Sequence, residues 1–462
     1  MLENDYLCTY KKVYLMIESL TVTNFYCFKE RTTILFTAKK ERNRMLDNNF
    51  CGFTTQNKIN ILKLVFLLGN NGAGKSKILS AFDALQYLIG QIRERKDESL
   101  RYRPFAFDEE CLNKPSEIEI VYHINDSRYL YSIKWDKYAI YEEILDELRT
   151  KTNINLFHRW YDKVSDIVKV DFTDKIQISD NENYIISSSL LKNNSVFSTI
   201  IKTNISHALL NSHLLFFMEG FEIVNLEDVD LNEELPDDKT ENSKQLKNVI
   251  CSFLKSVDTN IMSYEKLKID VEYPAELLQK LKSLSDKQEA ELRMLFRMDE
   301  EKHIVNTFHR LDKKTGNRRG RLPLSEQSDG TKEILRFLIV LDEAIRKEKT
   351  IILDDYSSGV QRNTLNQLLK FFLGAAQNAQ LIISTQDYSL LDFDIIRRDS
   401  IRFLVKDDIA SAHVQSINLS LLHKNSSLHH YVSKMNVYEQ LPKMDEALFE
   451  ELLRMYKTIA MR

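Results

Sequence analysis

Glycine and proline are scarce in this 462-residue chain, 11 and 6 of them, which excludes collagen-like, proline-rich and long flexible linker segments. Cysteine is rarer still. Cys8, Cys27, Cys51, Cys111 and Cys251 are odd in number and form no C-x-x-C pair. That argues against a disulfide framework or a zinc site and for free, mostly buried thiols in a reducing cytoplasm. An excess of one charge is missing too: 64 basic against 68 acidic residues leave a net −4. Any contact with DNA or RNA therefore has to come from a local basic face. No uninterrupted apolar run approaches the roughly 18 residues of a membrane span, so no membrane partner is expected. Glu3 and Asp5 near the start, and an apolar run after Lys11-Lys12 that stops at Glu18, do not form a signal peptide.

What is present is the composition of a soluble globular protein, 43% hydrophobic and 29% charged. The length exceeds one ordinary core, which predicts two or more domains or a head with a large insertion. Against so few glycines, Gly69, Gly72 and Gly74 stand together in Gly69-Asn70-Asn71-Gly72-Ala73-Gly74-Lys75-Ser76, which fits G-x-x-x-x-G-K-[ST]. Ile61 to Leu68 before it is rich in apolar residues and reads as an interior strand. Ile78, Phe82, Leu85 and Ile89 after it recur at helical spacing. A glycine-rich turn between strand and helix binds phosphate because bare backbone N–H groups converge where the helix dipole is positive. Lys75 then reaches the terminal phosphates of ATP and Ser76 ligates Mg²⁺.

From Leu20 to Phe25, within Met16–Phe25, apolar and polar residues alternate as a first strand; Met16 offers an alternative start, with residues 1–15 as an N-terminal extension. Thr32 to Phe36 is expected to pair with it, and Glu117–His123 and Tyr129–Trp135 form a hairpin around Asn125-Asp126. From about Tyr141 to His309 longer helical patterns are expected, including a helix over Glu276–Met298. Leu226 to Asn242, strongly acidic, reads as a solvated or disordered loop. Lys313, Lys314, Arg318, Arg319 and Arg321 then place five cations on one glycine-containing loop, either a hairpin turn or a contact to a DNA backbone.

Ser328 and Gly330 open the next helix, with Ile334, Leu335, Leu338 and Leu341 on its apolar face. About twenty residues on, Thr350 to Asp355 is an apolar strand ending in two carboxylates: Asp354 as the Mg²⁺ anchor and Asp355 as the acid that positions or deprotonates water. Arg362–Ala376 is a core helix. Gln380–Asp387 is a buried strand with polar residues at the edge where ligands gather in α/β sheets, and Ile401–Val405 and His413–Ile417 are closing strands. His429 and His430 have no partners at ligand spacing, and an amphipathic helix begins at Asp445.

The order of these motifs resembles the ABC-type ATPases of the AAA superfamily from bacterial abortive-infection and restriction-associated loci, the RloA or AbiLi-like group. PtuA and AriA share the general plan, and RecF and chromosome-maintenance heads are more distant. The local strings are GNNGAGKS at 69–76, SDGTKE at 328–333, STQDYSLLD at 384–392 and RRDSIRFLVKDD at 397–408. The resemblance implies an α/β fold, an ABC-type P-loop NTPase head of mixed sheet plus antiparallel subsheet. This head is made of residues 16–140 and 311–425, with a helical insertion at 141–310 and a helical tail at 426–462. It further implies a homodimer or higher oligomer closed around two ATP molecules, Ser328 and Gly330 of one subunit capping the γ-phosphate held by the other.

Two positions depart from the family. Asp355 replaces a glutamate and Gln386 a switch histidine, so slow hydrolysis is expected. The chain shows no nuclease constellation. The resemblance therefore implies a cytoplasmic, nucleotide-gated scaffold for a separately encoded effector, a nuclease or toxin, in antiviral defence. The alternative is a repair-type ATPase that clamps DNA directly.

Overall fold

The computed structural model describes residues 14–39, 49–52, 59–203, 205–257, 260–269, 302–310, 319–356, 359–416, 451 and 454–456. Expectations for the N-terminal extension up to residue 13, the helix over Glu276–Met298, Lys313, Lys314, Arg318, His429 and His430 lie outside these residues. The helix expected from Asp445 is described only at Glu451 and at residues 454–456, which are helical. The chain divides into two compact units: Met1–Val224, Ala344–Ser357 and Phe372–Arg462 form one, Asn225–Glu343 and Ser358–Phe371 the other.

The strands are β1 (Leu15–Thr23), β2 (Thr32–Leu35), β3 (Phe50–Gly52), β4 (Asn60–Leu62), β5 (Leu64–Leu68), β6 (Ser116–Ile124), β7 (Ser127–Trp135), β8 (Ile140–Glu147), β9 (Ile154–Asp162) and β10 (Ile167–Phe172). They continue as β11 (Phe221–Val224), β12 (Ile261–Ile269), β13 (Lys302–Arg310), β14 (Arg319–Pro323), β15 (Thr350–Leu353), β16 (Gln380–Thr385), β17 (Ile401–Lys406) and β18 (Ala412–Ser416).

In the first unit a six-stranded sheet runs β11-β15-β16-β5-β17-β18, parallel except for β18 at its edge. All five residues of β5 are buried, as a central parallel strand covered on both faces requires. An antiparallel sheet of seven strands runs β10-β9-β8-β7-β6-β1-β2. The helix Lys75–Gly90 contributes Ile78, Leu79, Phe82, Leu85, Leu88 and Ile89 to one core with Ile17, Leu20 and Val22 of β1 and Val65 and Leu67 of β5. Each such side chain contributes about 1.5–3 kcal/mol by leaving water. The fold class is thus α/β, a P-loop sheet plus an antiparallel subsheet, with the predicted β1–β2 and β6–β7 pairings present.

One buried amide ties these layers together. Gln380, at the start of β16, accepts from the Ile17 N–H at 3.2 Å and the Thr350 hydroxyl at 3.1 Å, and donates to the carbonyls of Ile17 and Leu62, both at 3.1 Å. A fully satisfied buried side chain of this kind fixes register as no apolar residue can.

The stretch after Tyr141 differs from the helical expectation. Its first part is β8, β9 and β10, which extend the antiparallel sheet. The alternation there is disguised by charge at inward positions: Glu143 and Arg159 stand opposite each other in register, both wholly buried. Glu143 accepts from the Tyr131 hydroxyl at 3.0 Å and the Val196 N–H at 2.8 Å. Burial pushes its carboxyl up and the Arg159 guanidinium down. In the first unit, helices follow at 180–189, 196–202 and 208–219.

The second unit holds the sheet β12-β13-β14 and the helix Glu241–Ser256. Its acidic stretch is built into the unit where a solvated loop was expected. Leu226, Leu231 and Leu235 are buried, Asp230 caps a short helix, and Glu233 accepts from the backbone and ring of His303 at 3.0 and 2.8 Å. Strands β13 and β14 pair antiparallel up to Arg310 and Arg319, which places Arg319 and Arg321 in strand β14. Arg321 stands 3.8 Å from the Glu265 carboxylate.

Candidate nucleotide site

The turn from Gly69 to Ser76 leaves the C-terminal end of β5. Gly72 and Gly74 take φ of 76° and 105°, the left-handed region open to glycine at little cost. At Gly74 a Cβ would also meet the Cys27 sulfur at 2.8 Å, and at Gly69 one would meet the Leu404 carbonyl at 2.8 Å. Close packing against the β1–β2 corner and against β17 therefore excludes side chains at both positions. Gly74 then caps the 16-residue helix that begins at Lys75, whose first turn carries no acid to oppose an anion.

Lys75 is buried, and its ammonium donates to the Gly69 and Asn70 carbonyls at 2.8 and 3.2 Å. Burial lowers its pKa while Asp355 and Asp354 pull the other way. Beside it, the Ser76 hydroxyl donates to Asp354 Oδ1 at 3.1 Å, and the Ser384 hydroxyl donates to the same oxygen at 2.7 Å. The Asp355 N–H donates to Ser384 Oγ at 2.7 Å, and Asp355 itself is exposed with φ of 47°. Gln386 is exposed one residue past β16. The structure thus gathers the P-loop, Asp354 and Asp355 at the C-terminal ends of β5, β15 and β16. Ser328 and Gly330 lie in the second unit, where Ser328 Oγ accepts from the Thr331 N–H at 3.2 Å at the start of the helix Asp329–Lys347.

Above the turn is a cleft of about 530 Å³ lined by Asn71, Gly72, Gly74, Lys75, Ser76 and Asp355, and on its other side by Tyr26, Cys27, Lys77, Arg103, Phe107 and Lys406. Lys75, Lys77, Arg103 and Lys406 set four cations against one lining carboxylate, although the chain as a whole is acidic. A polyanion is favoured there. Tyr26 carries Lys77 over its ring at 4.9 Å, and its N–H donates to the Arg103 carbonyl at 2.7 Å. Asn24 pins the segment that follows: it accepts from the Phe105 N–H at 3.0 Å and donates to the carbonyls of Cys111 and Lys114, both at 2.8 Å. Tyr26, Arg103 and Phe107 carry no motif, and Lys406 lies inside the string RRDSIRFLVKDD at 397–408 without any local sign of a site role. The polar C-terminal edge of β16 and the string STQDYSLLD at 384–392 both point to Ser384.

Fold and loop together define a P-loop nucleotide-binding protein of the ABC type. The chain belongs to the family described as "AAA domain, putative AbiEii toxin, Type IV TA system", which matches residues 64–392. Among solved structures the chain is similar to the SMC head domain from Thermotoga maritima, at 12% identity and a TM-score of 0.38 over 87% of this chain and 99% of that one. It is also similar to an SmcHead bound to the C-winged helix domain of ScpA, at 10% identity and a TM-score of 0.39 over 87% and 98%. No curated protein matches. Among the described residues no helix is long and apolar enough to cross a membrane.

Proposed function

We propose that this chain binds ATP with Mg²⁺, hydrolyses it slowly and uses its presence to gate an assembly. The observation that carries the reading is the convergence of Ser76 and Ser384 on Asp354 beneath a glycine-cradled lysine. Oxygen donors from a hydroxyl and a carboxylate suit Mg²⁺, so Ser76 and Asp354 fit as its protein anchors. When bound, the ion neutralises phosphate charge. Gly69 to Ser76 hold the phosphates through backbone N–H groups, Lys75 meets their terminal charge, and Tyr26, Arg103 and Phe107 flank the nucleoside side of the cleft.

Asp355 is the group that orients water. Its carboxyl is one methylene shorter than the glutamate expected there, which draws it back from a nucleophile that needs contacts of about 3 Å. Gln386 donates a hydrogen bond to phosphate but never a positive charge. Ser328, exposed at a helix start, would cap the phosphates of a second copy, so that ATP closes a homodimer or a larger ring. The family description names a toxin system, and the strings shared with the RloA or AbiLi-like group support a scaffold that holds a separately encoded effector, a nuclease or toxin, in antiviral defence.

Light scattering of the purified chain with and without ATP and Mg²⁺ tests this. The wild type should assemble on ATP, Lys75→Ala and Ser328→Arg should not, and turnover should stay below about 1 s⁻¹. Assembly that ignores ATP in all three proteins, or faster turnover, would sink the proposal.

A further inference from the structure

A second cleft, of about 360 Å³, opens on the first unit, lined by residues that the nucleotide site does not use. Four tyrosines line it, and three have their hydroxyls held by hydrogen bonds. Tyr102 donates its hydroxyl to the Lys114 carbonyl at 2.5 Å, Tyr141 to Asp136 at 2.7 Å and Tyr161 to Asp166 at 2.7 Å. The fourth, Tyr138, is 65% exposed and stands at the rim. Tyr141 and Tyr161 lie 6.0 Å apart between ring centres.

Three lysines share the lining. Lys192 is partly neutralised by Asp166 at 3.4 Å and lies 5.7 Å over the Tyr161 ring. Lys137 and Lys163 have no carboxylate partner among the described residues, and Lys137 lies 5.8 Å over the Tyr138 ring. The one lining carboxylate, Asp136, is occupied: it accepts from the Tyr141 hydroxyl and from the N–H groups of Tyr138 and Ala139 at 2.6 and 3.0 Å. On a chain with net charge −4 this is a locally cationic, aromatic recess.

Aromatic faces held in place beside uncompensated cations match a flat base joined to a phosphate. The volume admits about one nucleotide, and a paired base offers no free face to a ring, so the match is to an unpaired strand. We propose that this cleft binds single-stranded nucleic acid, a base stacking against Tyr138 and its neighbours while Lys137 and Lys163 meet the flanking phosphates. The site is separate from the P-loop and does not depend on the ATP reading.

The test is fluorescence anisotropy of a labelled oligothymidine about twelve nucleotides long with the full chain, in nucleotide-free buffer. The wild type should bind, and its affinity should fall with salt with a log–log slope of roughly −0.7 for each phosphate met. Tyr138→Ala should weaken binding about tenfold, the loss expected for one stacked base. Lys163→Glu should weaken it and flatten the salt slope. Both residues are exposed, so the variants should melt as the wild type does. The proposal is overturned by no binding at roughly 10⁻⁴ M protein, by unchanged affinity in both variants, or by preference for a duplex of the same length. It is equally overturned if affinity is lost only when the β14 cations Arg319 and Arg321 are reversed.

Discussion

The Ser384 hydroxyl donates to Asp354 Oδ1 at 2.7 Å and at the same time accepts the Asp355 N–H at 2.7 Å. One side chain at the end of β16 therefore sets both the carboxylate that fits Mg²⁺ and the backbone of the acid that follows it. Ser384→Ala removes a hydrogen bond to a charged group, worth about 1.5–3 kcal/mol, from an arrangement needed only when metal and phosphate are held together. ATP turnover should fall roughly 10- to 100-fold, and Mg²⁺-dependent ATP affinity should fall with it. Nucleotide binding in EDTA should stay as in the wild type. A Ser384→Thr protein, which keeps the hydroxyl, should recover most of the loss. Equal losses with and without Mg²⁺, measured by titration calorimetry, would show that Ser384 supports the sheet alone.

The left-handed backbone at Asp355, φ 47°, bears on why the shorter acid stands there. Aspartate enters this region more readily than longer acids because its carboxyl bonds locally. Asp355→Glu should bring the carboxyl forward and raise turnover about tenfold or more, since near-attack distance governs the step. The cost should be about 1 kcal/mol of stability from backbone strain. Single-turnover hydrolysis and urea unfolding read the two effects separately, and a slower Glu variant would remove the methylene argument.

The string Arg397–Asp408, one of the four that carry the resemblance, proves to be largely structural. Arg397 binds Asp399 through Nε and Nη2 at 2.9 and 2.8 Å, and Asp399 accepts from the Lys39 N–H at 2.6 Å, with both side chains almost wholly buried. Arg402, also buried, donates to the Leu35 carbonyl at 2.9 Å. These contacts fasten β17 to the end of β2. Asp399→Ala removes the carboxylate that Arg397 meets through two hydrogen bonds and should cost about 3–5 kcal/mol in equilibrium unfolding. A loss under about 1 kcal/mol would mean that water reaches the guanidinium.

How much of this was legible follows from where each signal sits along the chain. The P-loop, the acids after β15 and the hairpins at β1–β2 and β6–β7 are local patterns, and each was readable because neighbours in sequence are neighbours in space. Strands β8 and β9 were hidden because Glu143 and Arg159 occupy core positions, so a period of two looked polar. Tyr26, Arg103 and Lys406 meet across one cleft from segments far apart in sequence, and no spacing rule reports that. The acidic run at 226–242 misled because its leucines, spaced five and four apart, carry the burial while the charges dominate the composition.

His213 offers a test by pH. It is wholly buried in the helix Ala208–Glu219, where its Nδ1 is hydrogen-bonded to the Tyr122 hydroxyl at 2.6 Å and its ring makes T-shaped contacts with Tyr122 and Tyr129. Burial with no counter-charge lowers its pKa from the ordinary 6.5 to about 3. A depressed folded pKa means that the unfolded chain binds a proton the folded chain refuses. The stability due to neutral His213 is then complete above pH 6.5 and is lost as pH falls towards 3. Between pH 8 and pH 5 the loss from this one group should be about 2 kcal/mol. His213→Gln keeps a hydrogen-bonding group for Tyr122 without a titrating one, so its free energy of urea unfolding should change less over the same interval by that amount. The layer concerned also supports the nucleotide site, since Gln86 of the P-loop helix donates to the Phe217 and Phe221 carbonyls at 3.1 and 3.2 Å. Acid should therefore weaken ATP binding in parallel with the wild-type unfolding curve, and the Gln variant should hold ATP to a lower pH.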